Sequence, residues 1–74
     1  MARKHPINSV YRITEIVGTS KTSWEDAAKN AVETASRSLR DLRIAEVTKT
    51  DLVIEHGRVT AFRARVSLSF KYAG

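Results

Sequence analysis

No cysteine occurs in the 74 residues. That absence excludes a disulfide scaffold and the cysteine-containing zinc sites of small metal-stabilised folds. A chain of this length is near the lower limit at which one core supports a monomer, so a metal, a ligand or self-association becomes the candidate support. No apolar run reaches the length of a membrane span, and residues 1–8, although they carry Arg3 and Lys4, have no apolar segment behind them of the kind a secretion signal needs. A soluble, cytoplasmic protein is the expectation. Proline occurs once and glycine three times. No nucleophile, acid–base pair or glycine-rich phosphate loop stands at a recognisable spacing, which argues against an enzyme. Internal repeats, low-complexity tracts and linkers are also missing.

Acidic residues are scarce beside basic ones, eight against thirteen, for a formal net charge of +5. Such an excess suits a nucleic acid or an anionic ligand, and it also serves simply to keep a small protein soluble. The positions show no single basic block. Lys29, Arg37, Arg40 and Arg43 fall on or just after a predicted helix, where the later ones suit its negative end, and Arg58, Arg63, Arg65 and Lys71 fall in a predicted last strand.

The stretch from Ile16-Val17-Gly18-Thr19-Ser20 into Ser23-Trp24-Glu25-Asp26-Ala27-Ala28 reads as a strand, a tight turn and a capped helix. Gly18 is predicted to take the positive φ that ends the strand, with short polar side chains from Thr19 to Thr22 satisfying the loop backbone. Ser23 is the predicted N-cap and Asp26 the far side of a capping box, with Glu25 at the positive end of the helix dipole.

Residues 1–8 hold the proline and show no periodicity, so they are read as an N-terminal arm, with residues 9–74 as a single domain. A first strand is expected from about Ser9 to Val17, with Tyr11, Ile13 and Val17 on one face and Val10 and Ile16 on the other. The helix is expected from Ser23 to about Arg40, its stripe formed by Trp24, Ala27, Ala28, Ala31, Val32, Ala35, Leu39 and Leu42. Most of that stripe is alanine, which lets a helix approach a sheet closely. Two β-rich runs follow, Ile44 to Glu55 and Arg58 to Tyr72, joined as a hairpin across His56-Gly57. In the last run Phe62, Ala64, Val66, Leu68, Phe70 and Tyr72 alternate with Arg63, Arg65, Ser67, Ser69 and Lys71, which predicts a central strand with one core face and one polar face. In the run before it the apolar phase slips between Ala45, Val47 and Leu52, Ile54. The slip implies a β-bulge, or a strand that outruns its own helix and packs on a neighbouring subunit.

The fold class is therefore α+β in the order β-α-β-β, a three-stranded antiparallel sheet curled over one helix. Nothing in the chain is left to cover the other sheet face, expected to carry Ile16, Ile44, Leu52 and Ile54, so that face is an association surface. Glu15, in phase with Ile13 and Val17, is a candidate for an ion pair across an interface with Arg63 or Arg65. Glu46, Asp51 and Glu55 are read as cross-strand partners of the same arginines or as contributors to a cation site. Trp24 is read as a packing or interface anchor rather than a stacking residue. His5 and His56 have no serine and acid partners and are read as solvated.

The Ile-Val-Gly-Thr-Ser strand end, the single amphipathic helix, Leu42-Arg43 followed by Glu46-Val47, and a polar last strand ending in Phe70 together resemble the dodecin family. The likeness spans about residues 9 to 72. It implies a hollow homododecamer of tetrahedral symmetry that binds and sequesters flavin without turning over a substrate. In flavin-binding members a tryptophan that sandwiches the isoalloxazine ring corresponds to Ile44, and a glutamine that hydrogen-bonds the flavin edge corresponds to Arg63. Stacking is worth roughly 1–3 kcal/mol per ring, so with both residues replaced, flavin (riboflavin or FMN) is expected to bind weakly or not at all. Thr22-Ser23-Trp24-Glu25 is similar to a branch of the family that lacks the tryptophan and includes a calcium dodecin. That branch implies calcium, which needs six to eight oxygens gathered at a subunit contact; no metal ligand is assigned. Arg63 and Arg65, with Ser67, Ser69 and Lys71, form a polar track suited to a phosphate-bearing ligand or to salt bridges between subunits. Expected partners are thus other copies of the chain and a small molecule or metal ion, with no membrane. A basic nucleic-acid module is the minor alternative, because Phe62, Phe70 and Tyr72 are expected on the core face rather than displayed for base stacking.

Overall fold

The computed structural model describes residues 10–71. The predicted arm at residues 1–8, with His5, lies outside the described residues, and so does Tyr72. The chain forms β1 (Tyr11–Ser20), α1 (Trp24–Ala35), β2 (Leu42–Glu55) and β3 (Arg58–Lys71), the predicted β-α-β-β order. All pairing is antiparallel and the sheet order is β1-β3-β2. The strictly alternating strand is central, flanked on both edges, and its alternation follows from having the helix on one face and none on the other.

Local chemistry sets the start of the helix. Ser23 has extended backbone, and its side-chain oxygen accepts the Asp26 N–H at 3.0 Å. The predicted capping box closes differently on its other side. Asp26 Oδ2 accepts the Ser20 hydroxyl at 2.7 Å, and Ser20 Oγ accepts the Thr22 N–H at 2.8 Å. Buried Ser20 therefore fastens the end of β1 to the first turn of α1. The helix stops at Ala35, short of the expected Arg40. Ser36 caps it and donates its hydroxyl to the Glu33 carbonyl at 2.8 Å, and a tighter turn follows in which Arg37 N–H reaches the Thr34 carbonyl at 3.2 Å and Ser38 N–H the Ala35 carbonyl at 3.0 Å. Asp41, at φ 59°, then reverses the chain into β2.

The core is small. Ala27, Ala31 and Ala35 of α1 meet Ala64, Val66 and Leu68 of β3, with Ile16, Ala28, Val32, Leu39 and Leu42 around them. Gly18 corrects an expectation: β1 continues past it to Ser20, and Gly57 is the one described glycine with positive φ. Space is what requires glycine at position 18. A Cβ there would collide with the Ala27 carbonyl oxygen and come within 2.8 Å of the Ala31 Cβ. The hairpin turn behaves as expected, with His56 at φ 53° and Gly57 at φ 76°, the positive pair of a two-residue turn that matches strand twist.

The phase slip in β2 is a bulge. Val47 pairs with Val66 and Leu52 with Phe62, so both share the helix-facing side although they stand five positions apart, an odd offset; a register shift between Val47 and Lys49 absorbs the difference. A second shift between Val53 and Ile54 sets Ile54 across from Val59. The composition of the uncovered face is corrected accordingly. Ile16 packs against the core and Leu52 belongs to the helix-facing side, whereas Ile13, Val17 and Ile44 occupy the outer face. Beyond α1 the hairpin projects, giving extents of 55 × 23 × 15 Å and a radius of gyration of 15.2 Å. A compact chain of this length would have a radius of about 11 Å.

Replacing Gly18 by alanine forces α1 off the sheet, since the opposing atom is backbone and cannot rotate away. Overpacking of this kind costs about 1–3 kcal/mol, so Gly18→Ala should lower the thermal midpoint by several degrees. An unchanged midpoint would disprove the close contact.

Candidate functional site

The outer sheet face is the candidate site, and antiparallel register arranges it in rows. Residues directly opposite each other project to the same side, so the rows running β1, β3, β2 are Ile13-Ser69-Ile44, Glu15-Ser67-Glu46, Val17-Arg65-Lys49 and Thr19-Arg63-Asp51. No helix among the described residues lies over them. Ile13 is 64% exposed, Ile44 62% and Val17 47%, which makes the face apolar at one end and charged at the other.

The three residues singled out in the sequence, Ile44, Arg63 and Arg65, all lie on this face. They do not form one pocket within a chain. Ile44 pairs with Ser69, four residues from Arg65 and six from Arg63 along β3, or about 13 and 20 Å at the rise of a strand. A small ligand touching both Ile44 and Arg63 would take them from different copies.

Arg63 has a partner in its own chain. Its Nε donates to Asp51 Oδ1 at 2.8 Å and its Nη2 to Asp51 Oδ2 at 2.7 Å, a two-pronged pair between half-exposed side chains. Within the chain this makes Asp51 the cross-strand partner of Arg63. Within the chain Glu15 is exposed, as are Glu46, Glu55 and His56. The hydrogen bonds from Arg63 hold the Asp51 carboxyl below the usual carboxylate range, and the charges of Arg63 and Arg65 add to the effect.

Trp24 is an anchor at the far end of the helix-facing side. It is 41% exposed, sits edge-on to Phe62 with ring centroids 5.2 Å apart, and donates its indole N–H to the Asp51 carbonyl at 3.0 Å. A tryptophan tied to Phe62 and to the Asp51 carbonyl on the helix-facing side is not placed to stack on a ligand at the outer face. On that same side an open groove of about 560 Å³ runs between β1 and α1, lined by Thr14, Ile16, Gly18, Asn30, Ala31 and Ala35 among others, none of them charged. It exists because alanines leave room beside the edge strand.

Among the described residues no three acidic, histidine or cysteine side chains converge. One chain alone therefore offers no cage of six to eight oxygens, and calcium does not fit the residues of a single copy. Lys49 was not singled out in the sequence. The bulge at Thr48 is what turns it, together with Asp51, onto the outer face, and only the broken apolar phase hinted at it.

A three-stranded antiparallel sheet in β-α-β-β order, curled over one alanine-faced helix with the candidate residues on its outer face, is the fold of the dodecins. The Dodecin family model matches residues 10–73, and the chain belongs to the dodecin family. The calcium dodecin of Mycobacterium tuberculosis is 41% identical over 63 residues, 85% of this chain and 89% of that protein. The dodecin structure from Streptomyces coelicolor superposes with a TM-score of 0.84 at 39% identity, covering 93% of this chain and 99% of that one. A structure of the M. tuberculosis calcium dodecin, described as calcium chelating, superposes at 0.76 with 42% identity over 86% of this chain and 91% of that one. No helix among the described residues is long and apolar enough to cross a membrane.

A lowered folded-state pKa at Asp51 means that its contribution to stability is present above the ordinary carboxylate range and is lost as pH falls through the folded value. Carboxyl-carbon NMR should show Asp51 titrating below a typical aspartate, and Arg63→Ala should move it back up. An ordinary titration in the unmodified protein would mean that the pair does not persist in solution.

Proposed function

We propose that this chain assembles into a closed homododecamer of the dodecin type that binds and stores a small ligand without turning it over. The bare outer face carries the reading: Ile13, Val17 and Ile44 are exposed beside charged rows, in a chain far more elongated than its length requires. An apolar face of this kind is stable in water when another copy covers it. The uncharged groove between β1 and α1 offers a second surface for the same purpose.

Flavin binding is weak in this reading. Ile44 supplies an apolar contact with no stacking face, and Arg63, at the position of the edge-binding glutamine, is held by Asp51. A calcium-binding assembly is the second reading, supported by the calcium dodecin relative at 41% identity. Its ligands would come from several copies, and Glu15 and Glu46 are carboxylates that the outer face makes available. A nucleic-acid module has less support, since half-buried Phe62 and Phe70 lie on the helix-facing side, away from the arginines.

Native mass spectrometry and sedimentation of freshly purified protein should give a species of about twelve subunits; a well-folded monomer at micromolar concentration sinks the assembly reading. Riboflavin fluorescence should be barely quenched by the unmodified protein, and Ile44→Trp combined with Arg63→Gln should strengthen quenching. Submicromolar quenching by the unmodified chain would show that another residue stacks on the ring.

A further inference from the structure

One row of the outer face places like charges together. Lys49 of β2 stands directly across from Arg65 of β3, and both are exposed. Directly opposed like charges destabilise an antiparallel pair unless something neutralises them. Asp51 in the next row is hydrogen-bonded through both oxygens to Arg63 and makes no ion-pair contact with Arg65 or Lys49. In the row on the other side, neither Glu15 nor Glu46 forms an ion pair with Arg65 or Lys49. Val17 closes the row on the β1 side with an apolar side chain.

The juxtaposition is built by the bulge rather than by chance exposure. Without the extra residue at Thr48, regular register would put Thr48 across from Arg65 and turn Lys49 toward the helix-facing side. With it, the Thr48 hydroxyl donates to the Arg65 carbonyl at 3.3 Å and Lys49 takes the register position opposite Arg65. Bulges commonly re-aim a side chain in this way.

We propose that Lys49 and Arg65 form an anion site for a phosphoryl group, the guanidinium fork gripping two oxygens while the ammonium supplies a point charge to a third. The site deepens the storage reading by giving the ligand a phosphate. It belongs to one chain, however, and does not depend on subunit number. The lowered carboxyl of Asp51, to which Arg65 contributes, agrees with a positive field at this point of the sheet.

The intact protein, dialysed into chloride, should bind inorganic pyrophosphate saturably in calorimetry and melt at a higher temperature with it. Lys49→Ala and Arg65→Ala should each weaken binding by about tenfold or more, the loss of one charge-assisted hydrogen bond. Lys49→Glu should abolish binding yet raise the melting temperature without ligand, since it places an opposite charge across from Arg65. Arg37→Ala, which removes an exposed charge beyond the helix, should bind as the unmodified protein does. Tighter binding of FMN than of riboflavin would assign the site to a phosphorylated ligand, and an equal response to the two flavins beside firm pyrophosphate binding would assign it to a free oxoanion. Absence of saturable binding overturns the proposal; so does undiminished binding by Lys49→Glu, or equal weakening by Arg37→Ala, which would mark a diffuse charge effect. Sedimentation of the same samples separates the two readings: a pyrophosphate-binding protein that is not a dodecamer fails the assembly reading alone, and a dodecamer that ignores pyrophosphate fails the anion site alone.

Discussion

A twelve-residue helix rises about 18 Å, whereas a fourteen-residue strand extends about 46 Å, so one helix of this length cannot cover a sheet built on such strands. That mismatch governs the molecule. The helix spends its apolar stripe on the part of the sheet it reaches, where Ala27, Ala31 and Ala35 sit against Ala64, Val66 and Leu68. The far half of the hairpin and the whole outer face are left uncovered by the described helix. Val47, Leu52, Ile54 and Val59 remain largely exposed for the same reason.

Two close-range devices make the short contact effective. Gly18 lets the helix backbone settle against β1, and Ser20 ties the strand end to the helix start through Asp26 and the Thr22 N–H. Both replace size with proximity. A core of alanines buries little area per residue, so its strength depends on close approach rather than on bulk. Trp24 does what it can beyond the core by bridging Phe62 and the Asp51 carbonyl, linking the first helical turn to both strands of the hairpin.

The bulge in β2 then decides the chemistry of the exposed side. It keeps Val47 and Leu52 on the helix-facing side while turning Lys49 and Asp51 outward, where one meets Arg65 and the other Arg63. An ion pair and a like-charge pair result from the same inserted residue. The dodecin family thus supplies the scaffold, and the charges carried by this chain set the chemistry of its outer face.

The architecture was legible in the sequence because it rests on local signals. Strict alternation from Phe62 to Lys71 marked the central strand, His56-Gly57 the turn, and Ser23 the helix start, each determined by neighbouring residues and backbone sterics. The broken apolar phase of β2 announced a bulge. What the sequence did not contain was its location, and hence which charges share a face: a one-residue shift inverts every side chain beyond it, and the shift is chosen by pairing with β3 rather than by β2 itself. For that reason Arg63 was legible as a residue of the polar face, its partner Asp51 was one of several carboxylates, and the broken phase was the one hint of Lys49. Gly18 looked like a turn glycine because its neighbours are turn residues, and only the helix packed across it shows that the constraint is space.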